Sequence, residues 1–214
     1  MDVVLDNLDL YIEGARTTIA LTLLSYAIAL IVGIAVAACR VSPVPPLRVL
    51  ATAWVELVRN TPLAVLFLLF WFGFTKIGIK YGLFTSAIIV LSAYTSTFIG
   101  ETVRAGINSV SKGQAEAARS LGLTFPQTLV TVVLPQALRT VVAPLGSLFI
   151  ALIKNSSVAG VIGVIDLTAV AAKVGVETAQ PVAAFAGAAT GYVILALFAA
   201  WAVRRLEHRT AIRR

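Results

Sequence analysis

Three long stretches of this 214-residue chain carry no charged side chain at all: residues 17–39, 83–100 and 178–203. Runs of that kind leave a chain few choices, because a helix of roughly 20 apolar residues is what a bilayer accepts. Only 13% of the residues are charged, where a soluble domain carries about a quarter, and mean hydropathy is +0.94. The sequence therefore reads as an all-α membrane protein of one domain, residues 1–214. A net charge of +7 raises nucleic acid as a partner. The Arg and Lys residues, however, stand at the ends of apolar runs instead of on a clustered basic face, which excludes that class. Cys39 is the single cysteine and His208 the single histidine. An internal disulfide is thereby ruled out, and cysteine-metal or histidine-dependent chemistry is disfavoured. Asp2, Asp6, Asp9 and Glu13 occupy the stretch where a cleavable signal would be basic, so the first span is expected to stay in the mature chain.

Flanking charge orients the spans. Arg16 and Arg40 bracket the first, with acidic residues before it and Arg40 and Arg48 after it, which places the N-terminus outside. Pro43, Pro45 and Pro46 make Arg40–Arg48 a stiff, extended, non-helical link on the inner side. The next apolar region, Val49–Thr75, is interrupted by Glu56 and Arg59, spaced to pair on a helix, and by Pro62, which kinks the helix or starts another. Trp54, Trp71 and Tyr81 suit interfacial belts. Lys76–Lys80 with Gly78 and Gly82 reads as an outer turn. The third span, from Leu83, ends inside through Tyr94-Thr95-Ser96-Thr97, Gly100-Glu101 and Arg104. Small and hydroxyl residues in such a run serve close helix packing or line a polar path. A fourth run, Thr140–Ile153, is short unless it continues past Lys154. Residues 154–164 read as a helix end followed by a short protein-buried piece, and Asp166–Thr178 as an outer segment. The last run ends at Arg204-Arg205, and Arg209, Arg213 and Arg214 keep the C-terminus inside. The sum is about five transmembrane helices, N-terminus outside and C-terminus inside.

Between the third and fourth spans lies a polar loop, about residues 108–138, with a regular grammar. Glu116-Ala117-Ala118 favours a short helix, Gly122 suits its left-handed end, Pro126 fits the first turn of a second helix, and Pro135 breaks that run again. Glu-Ala-Ala, three residues, Gly, nine residues, Val132, one residue and Leu134-Pro135 resembles the EAA signature of ABC importer permeases. Arg59-Asn-Thr-Pro-Leu, Tyr94-Thr-Ser through Arg104-Ala-Gly-Ile, and Lys154-Asn-Ser-Ser through Gly163-Val are together similar to polar amino acid permeases, most closely the short glutamate-type subunits. The likeness runs from about Arg40 to Asp166. It departs at Val132, where isoleucine is common, and at Gly160, where serine is usual.

The resemblance implies the type I ABC importer permease fold with a cytoplasmic coupling helix, in a prokaryotic plasma membrane. It implies a second permease subunit (a copy or a sister chain), an ATPase dimer on the cytoplasmic side, an extracytoplasmic substrate-binding protein, and a polar amino acid such as glutamate, aspartate or glutamine. Neither a nucleophile–base pair nor a metal cluster is evident, and no GxxxxGK[ST] phosphate loop occurs. The chain is thus expected to be a transport subunit and no enzyme, with no cofactor of its own and with ATP and Mg on the ATPase partner. Glu116, Ala117, Ala118, Arg119, Gly122, Leu134 and Pro135 are the expected ATPase-coupling residues, with Gln127 at the rim and Leu121 allowing close approach. Ser96, Thr97, Gly100, Glu101, Arg104, Asn155 and Ser156 are the expected substrate path. Ser96, Gly100 and Arg104 share a helical stripe, and the Arg104 fork suits a carboxylate or, failing that, pairs with Glu101. The rival class is an ion-coupled secondary transporter or channel, which tends to place acids at mid-membrane.

Overall fold

The computed structural model describes residues 2–79 and 81–210, and every described regular element is helical. In chain order these are α1 (Asp2–Asp6), α2 (Leu8–Val41), α3 (Pro45–Arg59), α4 (Leu63–Lys76), α5 (Leu83–Ser109), α6 (Lys112–Ser120) and α7 (Phe125–Thr128). A π-helical turn (Leu129–Val133), α8 (Leu134–Asn155), a 3-10 helix (Ser156–Ile162), α9 (Leu167–Glu177) and α10 (Pro181–Thr210) complete the chain. Lys80, in the expected outer turn, and Arg213 and Arg214, in the basic tail, lie outside the described residues.

Four helical runs are long and apolar enough to cross a membrane: Leu8–Val41, Leu83–Ser109, Pro126–Ile162 and Pro181–His208. The α3–α4 pair, bent by 103°, makes a fifth if it is one broken span. The bend sits at Asn60–Pro62, where Pro62 starts the second limb.

Three expectations are corrected. The proline link is not extended throughout: only residues 42–44 leave the helix, because Pro45 and Pro46 occupy the first turn of α3, where no N–H donor is required. Pro135 does not break its run. The π turn just before it sends the Leu134 N–H back to the Leu129 carbonyl, and α8 continues through the proline. The fourth span therefore gains most of its length on the N-terminal side. Glu56 does not pair with Arg59; its carboxylate accepts from Asn60 Nδ2 at 3.1 Å, while the Arg59 guanidinium lies 5.0 Å over the Phe98 ring.

The bundle is centred on α5. Its closest neighbour is α2, and glycine sets the approach: a Cβ on Gly33 would fall 2.6 Å from Ile99 Cγ2, and one on Gly100 3.2 Å from the Gly33 carbonyl. Small residues let two helix backbones meet in this way inside lipid. On its other flank α5 meets α8, with Gly106 against Val141 and the Ala137 carbonyl. A central apolar core joins Leu21, Phe67, Leu91, Leu152 and Ile162 from α2, α4, α5, α8 and the 3-10 helix. A second core at the far end joins Tyr11, Leu167, Val174 and Ala184 from α2, α9 and α10. There the fully buried Asp166 caps α9, accepting from the Ala169 N–H at 2.9 Å and the Tyr192 hydroxyl at 2.8 Å. Burial pushes its carboxyl above the usual range, and those hydrogen bonds pull it back.

Candidate coupling surface and translocation path

The loop with the EAA grammar forms one projecting unit. Ser111 enters α6 in extended backbone, and the helix ends at Ser120. Gly122 then takes φ +83°, a left-handed conformation that a side chain resists. The Gly122 N–H donates to the Arg119 carbonyl at 2.9 Å and the Leu123 N–H to the Ala118 carbonyl at 3.2 Å, which closes the helix end. A Cβ on Gly122 would touch nothing within 4 Å, so backbone conformation alone selects glycine there. Gln127 Oε1 accepts from the Thr124 N–H at 2.8 Å and from its hydroxyl at 2.9 Å, starting the next helix.

Of the expected coupling residues, Ala118 is buried and faces the protein. Glu116, Ala117, Arg119, Gly122 and Pro135 are exposed, and Leu134 is half-buried. Leu121 stands 83% exposed at the tip. Arg119 reaches only the Ala115 carbonyl of its own helix, at 3.4 Å. The outer face of α6 thus presents an acid, a base and a bare leucine, none of them held by another part of the chain among the described residues.

The expected path residues fall into three groups. Ser96 and Thr97 are fully buried, and their hydroxyls donate to the Ala93 and Tyr94 carbonyls, each at 2.7 Å. Gly100 lies in the α2 contact, and Ser156 is buried with its hydroxyl donating to the Ile153 carbonyl at 2.8 Å. Glu101 and Arg104 form a second group. The Glu101 carboxylate bridges Arg40 of α2 and Arg104 of α5, the latter at 2.9 Å. In the sequence Arg40 flanks the first span; its half-buried bridge to α5 has no signal in local sequence, since 61 positions separate the partners. The Arg104 Nε is buried without a hydrogen-bond partner.

Asn155 forms the third group. It ends α8 beside a cleft of about 200 Å³ walled by Tyr94, Thr95, Phe98, Leu148 and Ala151. A larger cavity of about 640 Å³ lies between α1, α2 and α10, is almost wholly apolar, and shares no lining residue with the expected path.

Residues 29–212 match the family described as binding-protein-dependent transport system inner membrane component. The chain belongs to this family. It is an integral membrane permease of the ABC importer type, a transport subunit, and its membership implies ATPase and binding-protein partners. The probable glutamine ABC transporter permease GlnM of Bacillus subtilis is 42% identical over 167 residues, 78% of this chain and 77% of that one. The glutamate transport system permease GluC of Corynebacterium glutamicum is 45% identical over 159 residues, covering 69% and 70%. The glutamate/aspartate import permease GltJ of Escherichia coli is 33% identical across 94% of this permease and 87% of its own length. The crystal structure of an amino acid ABC transporter with histidines superposes with a TM-score of 0.92 at 32% identity, over 96% of each chain. An inward-facing MetNI methionine transporter shares the fold, with a TM-score of 0.79 at 23% identity, over 95% of this chain and 97% of that one.

Proposed function

We propose that this permease forms the translocation path of an ATP-driven importer for a polar amino acid (glutamate, aspartate or glutamine) and couples that path to ATPase subunits on separate chains. The observation that carries the reading is the α6 loop. It is an ordered helix with an exposed mixed face and a left-handed glycine after its end, joined to α5 by residues 110–111 alone and to α8 through α7 and the π-helical turn. Two ATPase subunits closing on ATP would push two such loops, one from each permease of a pair. The movement would pass into α5, and through the Arg40–Glu101–Arg104 bridge into α2. An extracytoplasmic binding protein would deliver the substrate. ATP and Mg would sit on the partners. Arg104, with a nitrogen left unpaired, is placed to share its charge with a passing carboxylate at the inner end of the path.

This scheme requires the loop inside and the N-terminus outside, in the plasma membrane. Cysteine labelling should find positions near Asp6 and Lys76 accessible from outside, and positions near Lys112 and Arg209 from inside. The functional test is uptake of labelled glutamate, aspartate and glutamine into proteoliposomes with and without the ATPase and ATP. Uptake that persists without the ATPase would replace this reading with an ion-coupled transporter or channel.

A further inference from the structure

Helix α3 does not share the direction of the spans. It departs from α4 by 103° at the break between them, and α5 holds both of its ends at nearly one level. Arg40, just before α3, bridges Glu101, and Arg59, its last residue, lies over the Phe98 ring. Phe98 and Glu101 are about 4.5 Å apart along the α5 axis, whereas α3 is about 22 Å long. The helix therefore crosses α5 close to a right angle. Counted from Leu83, the crossing lies about 22–27 Å along α5, near the far boundary of a hydrocarbon layer about 30 Å thick. The α6 loop leaves α5 on that same side.

Three stripes run along α3. Ala51, Val55 and Val58 are buried against the bundle. To one side of them Leu47, Leu50, Trp54 and Leu57 recur at three- and four-residue spacing and are exposed, Leu50 and Leu57 to 68% and 70%. To the other side stand Arg48, Thr52, Glu56 and Arg59. A helix lying flat at the edge of a bilayer needs this division, with one face on protein, one flank in hydrocarbon and the other among the headgroups. Tryptophan favours that level, and Trp54 is there. On the polar flank the Glu56 carboxylate is taken by Asn60, and Arg59 is committed to Phe98. The Arg48 guanidinium is exposed and has no hydrogen bond or ion pair among the described residues.

We propose that α3 is an interfacial helix that seats an anionic phospholipid, with Arg48 receiving the phosphate and Leu50 and Leu57 lying against the acyl chains. Charge selects the lipid. Arg40, Arg48, Arg59 and Arg104 stand at or beside α3 against only Glu56 and Glu101, so the site carries a positive excess. A zwitterionic headgroup brings its own cation and gains little from that excess. A net negative headgroup gains about fivefold in occupancy for each arginine close to the surface. Such binding needs neither solute nor ATP turnover, so it stands apart from the transport reading above.

Trp54 fluorescence in the permease–ATPase complex reads this contact, once Trp71 and Trp201 are replaced by Phe. The complex is reconstituted in phosphatidylcholine mixed with brominated phosphatidylglycerol or brominated phosphatidylcholine, both of which quench a tryptophan they touch. Brominated phosphatidylglycerol should occupy the site about fivefold more readily. Arg48→Gln should bring the two lipids close to parity, Arg48→Lys should keep most of the preference, and 0.5 M salt should weaken it. In the complex with all tryptophans intact, native mass spectrometry should find one phosphatidylglycerol fewer per permease in Arg48→Gln, with the ATPase still bound. Equal quenching by both lipids in the arginine form, or a preference unchanged by Arg48→Gln, would overturn the site. Quenching by neither lipid would also overturn it, since protein, such as a second permease copy, would then cover the apolar flank. The same number of retained phosphatidylglycerols with and without Arg48 would count equally against it.

Discussion

The second half of α5 and the α6 loop are both rich in small and polar residues, yet they use them in opposite ways. In α5, Ser92, Ser96, Thr97 and Gly100 are buried; the hydroxyls bond to carbonyls and the glycine lies against the α2 backbone. In the loop, Glu116, Ala117, Arg119 and Leu121 point away from the molecule. A polar group that is already satisfied inside the fold stabilises the fold. One that is left over, on an ordered element, is available to another molecule. Polarity in a membrane sequence is therefore a guide to function only after its hydrogen bonds have been accounted for.

The contrast is broken most severely at Gly122. Placing Asp there forces a Cβ into a left-handed conformation at a cost of about 1–2 kcal/mol and adds a charge to the proposed docking face. Gly122→Asp should still insert, but lose ATPase co-purification and at least tenfold in uptake. Full ATP-driven uptake by this variant would place the docking surface elsewhere.

A smaller effect, and one that sharpens the comparison, is expected where the two regions are joined. Glu101→Gln leaves Arg40 and Arg104 facing each other without their shared carboxylate, so ATP hydrolysis should continue while solute moved per ATP falls several-fold. The Arg40→Glu, Glu101→Arg double variant restores an α2–α5 pair and should recover much of the ratio. If the swap recovers nothing, the bridge does not act through α2–α5 attachment.

Glu116→Lys alters the charge of the exposed α6 face and strains no backbone. Partial loss of ATPase association, about two- to fivefold and relieved little by refolding conditions, is the expected result. A change confined to expression level would instead make Glu116 a residue of the fold. The smallest effect belongs to Ser96→Ala and Thr97→Ala. Their hydroxyls are committed to the helix backbone, so uptake should stay within about twofold; a larger loss in substrate affinity would return these residues to the path.

Membrane class, helix content, the short helix closed at Gly122 and the buried piece after Lys154 were all legible in sequence, because each follows from local physics. Uncharged length demands a helix, a left-handed turn selects glycine, and unpaired backbone at membrane depth must be covered by protein. The same local rules misread Pro135, since a π turn one step upstream can absorb a missing N–H, and they misread Pro45–Pro46, since prolines also begin helices. What no local rule reaches is which face of a helix turns inward. Ser96, Thr97 and Thr95 are consecutive and chemically alike, yet two are committed to carbonyls and one lines a cleft, a division made by where α2 and α8 pack. Arg40 reaches Glu101 for the same reason: the chain brings distant residues together through glycine-set helix contacts, and only the packed structure shows which charges are spent and which are left for a partner.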